Sequence, residues 1–157
     1  MNLKQISQVT LVAGVLDILS AFVFAGLNGG TPLGVLAVVA SGPFGPGIAA
    51  SPLAPAIGLA VHFGIMTVMV AFFAWLAVRW PGPLAKLGPL LAGIGYGLLL
   101  YAVMYWIVLP LRWPAVHPQA ELLPIAKALF AHIVCVGLPI AYLLAPRASA
   151  VQRPAEA

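Results

Sequence analysis

The chain has 157 residues, of which 63% are hydrophobic and 6% charged, and its mean hydropathy is +1.11. A soluble domain carries about 25% charged residues to cover its surface, so this composition excludes an ordinary water-soluble fold and makes lipid the solvent for much of the chain. The net charge of +4 comes from seven Lys and Arg spread over segment ends, with no basic stripe, which argues for membrane topology and against a nucleic-acid partner.

Four apolar runs are long enough to cross a hydrocarbon core, which takes about 20 residues of helix. Backbone polar groups must be satisfied within a span, and the runs are too long and too uniformly apolar for barrel strands, so an all-α bundle of four transmembrane helices is expected. The first run covers about Ile6–Leu27 and carries Asp17 in its middle. Its apolar length and that acid point to a retained span, not a cleaved signal peptide. Thr10, Gly14, Asp17, Ala21 and Asn28 fall on one face of it.

The loop Asn28–Ser51 has no charge. Its Leu33–Ala40 portion is apolar, while Ser41-Gly42-Pro43 and Gly45-Pro46 are helix breakers. A short interfacial or re-entrant helix is expected, either packed across the outer mouth of the bundle or acting as a lid over a cavity. The second run, about Leu53–Val78, offers Ala56, Ala60 and Gly64 at intervals of four as a packing stripe, and contains Gly58 and His62. The third, about Pro89–Leu111, offers Gly93 and Gly97, then Tyr101 and Tyr105 on the same stripe. His117, in the following loop, reads as a solvated residue.

The fourth run, about Ile125–Leu144, contains His132, Cys135 and Pro139. A proline inside a helix frees the carbonyl four residues earlier, here that of Cys135, and kinks the helix or lines a cavity. As the single cysteine, Cys135 excludes an internal disulfide and any Cys-paired metal motif, and its apolar setting suits an inert thiol. Residues 1–145 thus read as one transmembrane domain and 146–157 as a disordered, solvated tail.

Cation counting orients the bundle. Lys4, Arg79, Lys86, Arg147 and Arg153 fall on the side of the termini, and Arg112 and Lys127 on the other. Both termini are therefore expected in the cytoplasm of a bacterial inner membrane. Trp75, Trp80, Trp106 and Trp113 suit the interfacial belts.

Asp17, His62 and His132 are the ionisable residues well inside the spans. At about 1.5 Å of rise per residue, they lie roughly 15, 13 and 10 Å from the outer ends of their helices, with Tyr101 at a similar depth. One polar residue from each helix thus converges on one level. A charge there costs at least about 2.5–3.5 kcal/mol on insertion scales, so such groups turn inward toward partners.

Three readings fit this set. It is a hydrogen-bonded knot fixing helix register, in which Asp17 accepts from a histidine N–H or from the Tyr101 hydroxyl. It is a cofactor site, with His62 and His132 as axial ligands of a haem b, Gly58 leaving room for the macrocycle, and Arg112, His117 and Lys127 meeting the propionates. A divalent metal on His62, His132 and Asp17 is the variant. Or it is a proton or ion pathway, since buried Asp and His chains are the usual relay groups. The expected activity is accordingly that of a binding or accessory protein carrying haem or a metal, or a proton-coupled channel or transporter acting as a homo-oligomer, or a structural subunit of a larger membrane complex. No nucleophile elbow, phosphate loop or paired carboxylates mark another enzyme class.

The segments AGVLDIL around Asp17, ASGPFG at Ala40–Gly45, GLAVHF at Gly58–Phe63 and AHIVCVGLPIAYL at Ala131–Leu143 resemble a family of small four-pass bacterial inner-membrane proteins with no established activity. The resemblance covers nearly the whole chain up to the tail. It implies an inner-membrane bundle carrying Asp17, His62 and His132 as a set, and brings no activity. The Pro/Gly-rich stretch Gly42–Gly47 departs from the pattern and argues against any regular helix in the first outer loop.

Overall fold

A computed structural model describes residues 2–114 and 121–146, and its regular structure is entirely helical. The helices are α1 (Leu3–Gly26), α2 (Pro32–Phe44), α3 (Ala54–Arg79), α4 (Pro81–Arg112) and α5 (Leu122–Leu144). Four of them, α1, α3, α4 and α5, are long and apolar enough to cross a membrane. The chain is an all-α membrane protein, as its composition requires. The expected tail and His117 lie outside the described residues.

The spans begin and end where local chemistry dictates. Asn2 caps α1 by accepting from the Gln5 amide at 2.9 Å. Within α4, Gly88 has φ 69 and Pro89 follows it, so the helix breaks there and its crossing portion starts at Pro89. The Gln5 amide nitrogen lies 3.5 Å from the Leu143 carbonyl, so the start of α1 and the end of α5 share one end of the bundle. In that terminal half, Val9, Ala13, Met66, Val70, Phe73, Tyr96, Val136 and Ile140 form a closed apolar core.

Glycine sets the close approaches. A Cβ on Gly97 would come within 2.6 Å of the His132 carbonyl oxygen, and Gly137 abuts both Gly93 and Gly97. The GxxxG stripe of α4 therefore seats α5 directly. The packing face expected on α3 is the wrong one. Ala56, Ala60 and Gly64 are exposed, and nothing lies within 4 Å of a Cβ at Gly64. The buried series is Ala54, Gly58, His62, Met66 and Val70, two residues out of step and hence on the opposite side of the helix. Burying His62 decides between the two stripes.

Helix α2 lies across the end of the bundle away from the termini, running from the end of α1 to the end of α4. Leu36 and Ala40 are buried, and a side chain at Gly58 of α3 would collide with the Leu36 carbonyl. Arg112, in the last turn of α4, donates through Nε to the Gly42 carbonyl and through a terminal nitrogen to the Ser41 carbonyl at 2.8 Å. These are carbonyls of the last turn of α2, where the helix dipole favours a cation; that of Ser41 also accepts from the Gly45 N–H at 2.9 Å. The Pro/Gly-rich stretch ends α2 without preventing it. Pro43 sits in its last turn, and Gly45, at φ 84, turns the chain into a short 3-10 segment, Pro46–Ala50.

Gly97→Ala should destabilise the protein by about 1–3 kcal/mol, because the added methyl meets backbone that cannot rotate away. Gly64→Ala should be neutral or stabilising by up to about 1 kcal/mol, from helix propensity alone. Thermal denaturation in detergent checks both, and equal losses would contradict the helix–helix contact described.

Candidate functional site

Helices α1 and α3 meet where Gly14 has no side chain. A Cβ there would come within 2.6 Å of the Phe63 ring, so the glycine lets Phe63 and its neighbour His62 reach α1. His62 is buried, with Nε2 2.9 Å from the Gly14 carbonyl oxygen and its ring edge-on to Phe63 at 5.2 Å. A carbonyl only accepts, so Nε2 carries the hydrogen and donates it. The other nitrogen, Nδ1, then faces the Asp17 carboxylate, 3.9 Å from Oδ2.

That arrangement has a chemical consequence. A neutral ring with hydrogen on Nε2 presents a lone pair at Nδ1, and an ionised carboxylate presents another. The pair is attractive only when a proton resides on Nδ1 or on Asp17. At 3.9 Å the gap exceeds a direct hydrogen bond. The His62 side chain is 9% exposed and that of Asp17 25%, so the acid stands in front and the imidazole behind it.

The second half of the site comes from α4 and α5, each of which widens into a π-turn: Met104–Val108 in α4 and Ala131–Gly137 in α5. Both are followed at once by Leu-Pro, Leu109-Pro110 and Leu138-Pro139. A proline ring displaces the carbonyl four residues earlier and supplies no N–H, and shifting to i→i+5 bonding accommodates the mismatch. The π-turns carry Tyr105 and His132. His132 Nδ1 donates to the Ala128 carbonyl at 2.9 Å, which leaves Nε2 as its acceptor. Tyr101 and Tyr105 stack at 5.0 Å and both meet the His132 ring edge-on, at 6.2 and 5.8 Å.

Between the two halves lies a cavity of about 360 Å³. Asp17, Ser20, Ala21 and Phe24 of α1 form one wall, and Pro124, Lys127, Ala128, Ala131 and His132 of α5 the other, with Tyr105 contributed by α4. Phe24, Pro124 and Lys127 stand toward the end of the bundle where α2 lies, and Asp17, Tyr105 and His132 lie deeper. The Lys127 ammonium sits 5.7 Å from the centre of the Phe24 ring. On the terminal side the apolar core closes the crevice. The site is thus a crevice that sets Asp17, Tyr105, Lys127 and His132 among apolar walls.

Asp17, His62 and His132 do gather at one level. Tyr101 stands one layer behind, stacked on Tyr105, and no hydrogen bond joins it to Asp17 among the described residues. Two lining residues escaped the sequence reading: Tyr105, noted only as part of a packing stripe, and Ser20. The Leu-Pro pair at Leu109-Pro110 was the available signal for Tyr105.

For a cofactor, the commitments matter. His62 Nε2 is engaged by Gly14, the space beside Gly58 holds the Leu36 backbone, and Arg112 is engaged by α2. Among the described residues no three His, Cys, Asp or Glu side chains are grouped to hold a metal ion. Comparison with protein-family models, curated proteins and solved structures gives no match to this chain.

His62→Ala leaves the Gly14 carbonyl without its ring donor and opens a void, and should cost about 2–4 kcal/mol. Tyr101→Phe removes a hydroxyl with no partner among the described residues and should stay within about 0.5 kcal/mol. Chemical or thermal unfolding in detergent measures the difference, and a reversed order would contradict the bonding described.

Proposed function

We propose that the chain is a small proton-coupled transport protein in which the Asp17–His62 pair takes up and releases a proton inside the membrane. The observation that supports this best is the orientation of His62. Its Nε2–H is held by a backbone carbonyl, so Nδ1 is the nitrogen left to face the Asp17 carboxylate, 3.9 Å away, and Asp17 lines the crevice. Asp and His inside membranes are the usual relay groups, and imidazole is the side chain whose charge changes near physiological pH. His132 and Lys127 line the same crevice and would pass protons or steer anions along it.

Transfer onward to the terminal side requires movement, because Val9, Ala13, Met66, Val70 and Phe73 block it. The π-turns of α4 and α5 are the natural places for such movement, as they combine a loosened backbone ladder with a proline. Four helices make a small transport unit, and a homo-oligomer in a bacterial cytoplasmic membrane is the assembly that suits it. Lys4, Arg79 and Lys86 against Arg112 and Lys127 support termini in the cytoplasm, with the crevice opening outward.

The protein reconstituted in liposomes with an entrapped pH dye should carry proton flux under an imposed potential. Asp17→Asn and His62→Ala should both reduce that flux about tenfold or more, while Tyr101→Phe should retain it. Undiminished flux in Asp17→Asn would end this reading. A Soret band or stoichiometric metal in the purified protein would replace it with a binding or accessory role, in which His62 must turn Nε2 away from Gly14.

A further inference from the structure

Above Tyr96, helices α3 and α4 separate. Two adjoining apolar cavities of about 340 and 380 Å³ fill the gap and share Ile65, Met104 and Val108 as lining residues. Together they make a groove that follows α4 from Tyr96 to Arg112, sixteen residues or about 24 Å at helical rise. Its floor offers no free polar group at Tyr96, whose hydroxyl donates to the Met69 carbonyl at 2.6 Å. The groove opens sideways, where lipid is the neighbour: Val68 is 69% exposed.

The mouth of the groove differs in kind. Arg112 lies there, and Trp113 beside it has its ring centre 5.2 Å from the guanidinium carbon. Two of the three guanidinium nitrogens hold the carbonyls of α2, which fixes the group in place. The third nitrogen keeps its two N–H donors, and no carboxylate pairs with Arg112 among the described residues. A tryptophan next to a fixed cation at the end of a span marks the level of the headgroups.

We infer that this groove is a binding site for an anionic phospholipid of the leaflet on the α2 side, with an acyl chain between Ile65 and Val108 and its phosphate on Arg112. The planar fork of arginine matches phosphate, and the net charge of an anionic headgroup compensates a cation that has no ion pair among the described residues. A helix from a second copy would need an acid at the height of Arg112. Among the described residues Asp17 lines the crevice, and Glu121, exposed at the start of α5, is the acid a second copy has to offer, so that occupant is an outcome of the test. The site is separate from the Asp17 crevice, yet Met104 and Val108 flank Tyr105 in one π-turn, so a lipid bound here would steady the turn that carries Tyr105 into the crevice.

The test uses the full-length protein extracted gently from nanodiscs of equal phosphatidylglycerol and phosphatidylcholine, with retained lipid counted by native mass spectrometry. Phosphatidylglycerol should be retained over phosphatidylcholine by roughly tenfold, the scale of one charge-assisted hydrogen bond. Arg112→Gln should erase the preference. Because Arg112 also anchors α2, Ile65→Trp serves as a second variant that fills the groove and leaves the anchor intact, and it should lose the bound lipid. Equal retention of the two lipids, or retention undiminished in Ile65→Trp, would overturn the inference. So would a wild-type dimer that Ile65→Trp disperses, since a second copy would then occupy the groove.

Discussion

The hydrogen bond from His62 to the Gly14 carbonyl joins α1 to α3 in the middle of the bundle, and much of the interior is arranged around it. It requires a glycine on α1, because any side chain there would hold Phe63 off. It selects the buried stripe of α3 and so places Gly58 under α2. It also determines which ring nitrogen meets Asp17. In lipid, a buried imidazole without such a partner would be costly, so the bond and the helix packing specify one another.

Helices α4 and α5 solve a second problem in the same way. Each carries a Leu-Pro step, and each widens by a π-turn just before it. The widening turns Tyr105 and His132 toward α1 and leaves a pocket where an evenly wound helix would close. The same turn of α4 faces two surroundings, the polar crevice through Tyr105 and the apolar groove through Met104 and Val108. The crevice and the groove thus lie on opposite sides of one backbone irregularity, the π-turn of α4. The division of the bundle follows: tight apolar packing near the termini, polar and open structure near α2.

Much of the fold was legible in the sequence. Span lengths follow from hydropathy, and the break before the third crossing follows from Gly88-Pro89. The convergence of Asp17, His62 and His132 follows from depth alone, because helical rise is constant. The face of α3 was not legible: both stripes repeat every four residues, and only the partner helix decides between them. Nor was the role of Arg112, because an arginine at a span end signals topology and says nothing of the helix it caps. Tyr105 hides behind Tyr101 for a similar reason, since a regular 3.6-residue helix puts both on one stripe and only the π-turn separates their roles.

The central claim is that His62 holds its hydrogen on Nε2 and turns Nδ1 to Asp17, while His132 has the opposite arrangement. Nitrogen-15 NMR of the two imidazoles, assigned by His62→Gln and His132→Gln, tests it most directly. The account predicts that neutral His62 carries its hydrogen on Nε2 and that neutral His132 carries its hydrogen on Nδ1. A neutral His62 with its hydrogen on Nδ1 and a bare Nε2 would contradict the Gly14 hydrogen bond and, with it, the proposed proton pair.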